Sequence, residues 1–332
     1  MGLRSTYGAA TLLGALLVLT MIAALFLGYA PLGMAEVFQG LVGQGDERYV
    51  FIVQDIRLPR ILLGAMVGGS LGLAGAAIQG LLRNPLADPS VIGVSSSAGL
   101  GAVVAIYYGF AASSAVIVPI FAIAFAISAM LVLVWLAGKD ASVLTLILAG
   151  VAISSLAAAL TTLAMNLSPN PFSLNDIILW LLGSLANRSF TEVWIAGPFM
   201  VAGWVLLLLT GRALPALSLG EDAAATLGVD LRRVRLQTIF GAAFAVGGGV
   251  AVSGAIGFVG LVAPHIVRPL VGHDPGRLLL PSALAGALLL VLADVGVRII
   301  PGDTELKLGV VTALLGAPFF LWLIIYTRRT MR

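Results

Sequence analysis

Leu217-Ser-Leu-Gly-Glu-Asp-Ala-Ala-Ala-Thr-Leu-Gly-Val229 lies between two long apolar runs and is itself too polar to cross a bilayer. Glu221 and Asp222 follow Gly220, where acids suit the positive end of a helix dipole. Ala223, Ala224 and Ala225 favour helix, and Gly228 is placed to end it. The stretch therefore predicts a helix of about two turns at a membrane surface, too short to be stable alone. Either it packs on a partner or it is an ordinary connecting loop, and its local sequence leaves both open.

The surrounding chain is apolar. Of 332 residues, 60% are hydrophobic and 10% charged, with a mean hydropathy of +1.09. Soluble domains carry about 25% charged residues, so a polytopic all-α membrane protein is expected. Forty glycines suit close helix packing. Cysteine is absent, which excludes disulfides and thiolate metal sites. No basic run with interleaved aromatics suggests nucleic-acid binding.

Read in order, the apolar runs are residues 9–30, kept as a first span rather than cleaved, then 61–82, 91–110, 115–137, 142–165 and 192–211. Pro59 fits the first turn of the second span. The stretch 236–271 is too long for one span and is broken by glycines and Pro264, so a full helix followed by a short one is expected. Residues 278–300 and 306–326 complete about ten segments.

An even count with both termini cytoplasmic places twelve of the 18 basic residues inside: Arg4, Arg83, Lys139, Arg212, Arg232, Arg233, Arg235, Arg268, Arg277, Arg328, Arg329 and Arg332. The outer six are Arg48, Arg57, Arg60, Arg188, Arg298 and Lys307. This bias supports the orientation and puts residues 218–229 in the cytoplasm. Gly75-Ala76, Gly80-Leu81 and Pro85 are echoed by Gly254-Ala255, Gly260-Leu261 and Pro264. Five segments apart, the copies run oppositely, which suggests an inverted repeat of roughly 56–166 and 232–327 within one transmembrane domain, 1–332.

Motifs for chemistry are missing. Gly138-Lys139 lacks the rest of a phosphate-binding loop, and neither a His-Glu-x-x-His nor a Gly-x-Ser-x-Gly motif occurs. No catalytic residue, cofactor or metal is expected in this chain. His265 reads as structural and His273 as solvated. Asp294 and Arg298 are spaced to pair on one helix face. Ser154, Ala158, Thr161, Thr162 and Met165 form a small, weakly polar stripe on the fifth segment, either a solute path or a packing face.

Six further stretches are recognisable: Ile56-Arg57-Leu58-Pro59-Arg60, Arg83-Asn84-Pro85-Leu86-Ala87-Asp88-Pro89 with Ile92-Gly93-Val94-Ser95, Leu148-Ala149-Gly150-Val151, Leu219-Gly220-Glu221 with Leu227-Gly228, Gly254 to His265, and Gly309 to Pro318. Together, and in order, they resemble the iron-chelate and cobalamin permease family of bacterial ABC importers. The resemblance implies a type II importer permease of ten spans in the bacterial inner membrane. It implies a homodimer with two ATP-binding cassette subunits, which would hold ATP and Mg, and a periplasmic substrate-binding protein.

Carried over by position, Gly220, Glu221, Ala224, Leu227 and Gly228 resemble the helix that couples to the ATPase. Arg57, Arg60 and Arg298 resemble rim arginines that meet acids of the binding protein. Ser142, Val143, Leu144 and Thr145 fall at the cytoplasmic gate, here more apolar than in the cobalamin permease. The loop 166–190 carries no transferable role. The expected cargo is a bulky metal chelate, a ferric siderophore or haem, with cobalamin as the alternative. An ion-driven secondary transporter is disfavoured by the lack of buried acid chains, and an intramembrane enzyme by the lack of a catalytic cluster.

Overall fold

The computed structural model describes residues 3–114, 116–138, 142–300 and 305–330, and side chains at 7–114, 116–138, 142–300, 305–323 and 325. Lys139 and Arg332 of the inner-side charge count, with the side chains of Arg4, Arg328 and Arg329, lie outside the described residues.

The chain begins with α1 (Leu3–Phe26), α2 (Met34–Val42), α3 (Glu47–Val50) and α4 (Leu58–Leu81). It continues with α5 (Val94–Tyr107), α6 (Ile117–Ala137), α7 (Val143–Asn166), α8 (Pro171–Leu181) and α9 (Phe190–Leu209). Then follow α10 (Leu214–Leu217), α11 (Glu221–Thr226), α12 (Leu231–Ser253), α13 (Val259–Val267), α14 (Leu279–Ile299) and α15 (Leu308–Thr330). No strand occurs among the described residues. Among the described residues, seven helices are long and apolar enough to cross a membrane. The apolar helices Val94–Tyr107, Val259–Val271 and Leu308–Leu323 are shorter.

Polar side chains set several helix ends. The Ser142 side chain accepts from the Thr145 N–H to cap α7, Asp230 caps α12, and Ser189 with Glu192 forms a capping box on α9. Two elements differ from the sequence reading. The second span starts upstream of Pro59, because α3, a π-helical stretch Phe51–Arg57 and α4 form one helix, Glu47–Leu81. Leu58 N–H donates to the Val53 carbonyl, five residues back, in the wider turn before Pro59, whose ring would crowd the carbonyl four residues back in a regular α-turn. The loop 166–190 contains α8, capped by Asn170 with Pro171 in its first turn.

The core is built around α4, which is buried on nearly all sides. It runs beside α14, α13, α12 and α9. Glycines set the spacing: a Cβ at Gly68 would overlap the Gly286 carbonyl, at Gly72 the Ser282 carbonyl, and at Gly75 the Gly260 carbonyl. The stretch 236–271 divides as expected into long α12 and short α13. Gly254, at φ +70, ends α12, and Phe258, in the left-handed region at φ +67, precedes α13. Gly75 and Gly260, one from each copy of the repeated motif, are thus in backbone contact. The copies are not alike, since the first keeps both its glycines within unbroken α4, with Pro85 past its end, and the second straddles the break. α1 lies on the α14 side of this core and α7 on the α5 side.

Candidate functional site

The segment 217–229 forms as a short helix at the end of the α9–α12 connection. Gly220, at φ +109, turns the chain into α11, Glu221 and Asp222 occupy the first turn, and Gly228, at φ +82, lies just past its end. Ala224 is fully buried within the main hydrophobic core. Glu221 pairs with Arg235 of α12 at 2.8 Å. Leu227 follows the helix and is 65% exposed, as Leu219 is at 69%. Glu221, Ala224 and Leu227, three of the residues that resemble the coupling helix, therefore share no outward face. The three-residue spacing that places Glu221 and Ala224 together turns both towards α12 and the core. The outward residues are Leu219, Asp222, Ala225, Thr226 and Leu227.

Arg57, Arg60 and Arg298 come together at one end of the bundle, but facing inward. Each is less than 8% exposed. Arg57 donates to the carbonyls of Leu25 and of Ala30, the latter at 2.5 Å. Arg60 grips Asp294 at 2.8 Å and also pairs with Glu305. Arg298 pairs with the other oxygen of Asp294 at 2.5 Å. Asp294 thus bridges α4 and α14, beyond the local pair that its spacing to Arg298 suggested. As positioned here, the three arginines are engaged within the chain and are not presented at a rim. Sequence reasoning missed Glu305, whose partner lies 245 residues away.

On α7 the expected stripe is divided. Ser154 turns to the α5 side, its Oγ donating to the Ser90 carbonyl at 3.4 Å. Thr161 is half-buried, and Met165 packs beside Val103, Ile106 and Ile177. Ala158 and Thr162 are exposed. An outward small-residue line runs through Ser155, Ala159, Thr162 and Asn166, sharing Thr162 with the expected stripe and otherwise one position round the helix from it, with Leu144, Leu148 and Val151 continuing it. At the candidate gate, Ser142 and Thr145 bond each other at 3.0 Å, Val143 packs on the core, and Leu144 projects, 64% exposed.

Between the α4–α5 connection, the α12–α13 turn and α15, a cavity of about 260 Å³ is lined by Asp88, Ser90, Ser95, Gly257, Phe258 and Phe320. Desolvation by burial pushes the Asp88 carboxyl above its usual range, opposed by the Ser90 N–H that it accepts. A second cavity of about 530 Å³ lies against Leu182, Ala255, Gly309, Leu314 and Pro318. Arg268 at the end of α13 donates to Gln79 of α4, which in turn donates to the Ala87 carbonyl at 3.2 Å. This polar tie between the two repeat copies was not foreseen.

A bundle of spans with one short surface helix, a helix broken at depth and an open flank fits a transporter subunit. Comparison with known proteins agrees. The chain is 41% identical over 284 residues to the Fe(3+) dicitrate transport system permease protein FecD of Escherichia coli (strain K12), covering 86% of this chain and 88% of that one. It is 43% identical over 279 residues to the vitamin B12 import system permease protein BtuC of Vibrio cholerae, covering 82% of each. A solved inward-facing metal-chelate type ABC transporter superposes with a TM-score of 0.84 at 34% identity, covering 96% of this chain and 99% of that one. The model of the FecCD transport family matches residues 16–326, and the chain belongs to that family.

Proposed function

We propose that this chain is the permease subunit of an ATP-driven ABC importer that carries a bulky metal chelate into the cytoplasm. The observation that carries this reading is α11, a short capped helix at the end of the bundle with exposed Leu219 and Leu227 on either side. A helix of six residues has little stability of its own, and its outward residues suit a partner's cleft. The energy then comes from two ATP-binding cassette subunits holding ATP and Mg. Two copies of the chain enclose the path, a periplasmic binding protein delivers the cargo, and both termini are cytoplasmic in a bacterial inner membrane. Leu219, Asp222, Ala225, Thr226 and Leu227 make the ATPase contact around Gly220 and Gly228. Ser155, Ala159 and Thr162 face the path, with Leu144 at its inner end.

A ferric siderophore or haem is the preferred cargo. Relatives of near-equal identity named for iron dicitrate and for vitamin B12 keep cobalamin as the second reading. The test is reconstitution into vesicles with the ATPase and binding protein, followed by uptake of labelled ferric siderophore, haem and cobalamin. ATP-dependent uptake of one chelate, lost when the ATPase is left out, is expected. Uptake driven by an ion gradient without the ATPase overturns the reading.

A further inference from the structure

At the end of the bundle that carries α11, a cavity of about 250 Å³ lies between α6, α7 and α12. Its wall is apolar, including Val134, Leu146, Leu236 and Ile239, while Arg232 and Arg235 supply two guanidinium groups. Arg232 is exposed and has no ion pair among the described residues. Arg235 is half-buried and gives Nη2 to Glu221 at 2.8 Å. Its remaining N–H groups make no hydrogen bond among the described residues. Trp135, also in the lining, is 78% exposed. Leu131, Val132 and Leu136 on the adjoining surface of α6 are exposed as well, so an apolar flank runs up to the mouth of the cavity.

We propose that this cavity binds an anionic phospholipid, its phosphate held by Arg232 and the free edge of Arg235 and its acyl chain lying along the apolar wall. Two cations beside an apolar slot between spans match the chemistry of such a lipid, and an exposed Trp at a span end suits the membrane interface. A soluble phosphate would engage the same guanidinium groups but leave the apolar wall and Trp135 unused. The permease assignment serves only to name the leaflet, the cytoplasmic one; the site itself stands on this geometry. Because Arg235 also holds Glu221, the lipid phosphate and the first turn of α11 share one side chain.

The full-length protein in detergent is titrated with phosphatidylglycerol, phosphatidylcholine or inorganic phosphate and read by native mass spectrometry. Phosphatidylglycerol is expected to stay bound where phosphatidylcholine does not. Arg232→Gln should weaken retention about fivefold, as should Arg235→Gln, since each removed basic residue forfeits a comparable share of the attraction. Arg232→Gln and Trp135→Ala leave the Glu221–Arg235 pair intact and keep the test decisive if Arg235→Gln fails to fold. Arg233→Gln, an equal charge change outside the cavity, should leave retention unchanged. Equal retention of the two lipids, or equal loss in Arg233→Gln and Arg232→Gln, overturns the site. Uptake of inorganic phosphate in place of lipid assigns the cavity to a soluble anion. Weaker ATPase binding by Arg232→Gln with lipid retention unchanged assigns the arginine to a protein contact instead.

Discussion

At Gly75 a single hydrogen decides whether two helices can meet. A methyl there would overlap the Gly260 backbone, which has no flexible side chain to give way. Gly75→Ala is expected to cost about 1–3 kcal/mol by overpacking, read as a lowered midpoint of thermal unfolding in detergent. Gly296→Ala, with open space around the new Cβ, should show no such loss. Asp294 is the second such residue. Asp294→Asn leaves Arg60 and Arg298 buried without their shared charge, and removal of one member of such a group costs about 3–5 kcal/mol. Glu305→Gln should cost less, because Arg60 keeps Asp294; an equal loss would show that the acids do not act in this order. The local half of this cluster was legible, since Asp294 and Arg298 are four apart. The half made with Arg60 was not, because pairing across 234 residues leaves no mark in one sequence.

At the scale of one helix, α11 was readable from its acids, alanines and flanking glycines, whereas the way it faces was not. Six residues are too few for an apolar stripe to define a side, and burial of Ala224 was settled by α12 and the core. Ala224→Arg should therefore damage folding and lower the yield of inserted protein. Ala225→Arg on the outward face should leave unfolding within about 0.5 kcal/mol and separate ATP hydrolysis from transport in vesicles. The reverse pattern would restore the inward residue as the contact. α7 poses the same problem at greater length: it is apolar all round, so periodicity cannot say which stripe faces out. Because the chain has no native cysteine, Ser155, Ala159 and Thr162 can be replaced singly by Cys. A water-soluble thiol reagent should label these and spare Cys at 154 and 161. Labelling only at 154 and 161 would put the path on the other stripe.

Across the whole molecule, the span order and the division of 236–271 into α12 and α13 follow from apolar runs and from glycines in sequence. The flank was beyond reach, because it depends on which helices are left without neighbours. There α15 exposes Leu314 in the lining of the 530 Å³ cavity, and Leu315 and Leu321 elsewhere on its surface, while Leu144, Leu148 and Val151 are exposed on α7. A second copy covering this flank would remove that apolar surface. Light scattering corrected for detergent should give twice 34.1 kDa, and Cys at Leu314 should cross-link one copy to the next. A monomer that stays active in vesicles would contradict this arrangement.

The helix Glu47–Leu81 has 35 residues, about 52 Å at 1.5 Å per residue, against a hydrocarbon layer of about 30 Å. Its upper third projects past the end of α1, where Arg57 holds the Leu25 and Ala30 carbonyls. Its lower end packs Gly80 on Leu214, one short helix ahead of α11. Between the two, near Gly68 and Gly72, it bears on α14 backbone to backbone. In mechanical terms this is a lever with unequal arms, roughly 35 Å above the fulcrum and 17 Å below. A sideways push on the long arm would reach the short one at about half its size and in the opposite direction, with no loop in between to absorb it.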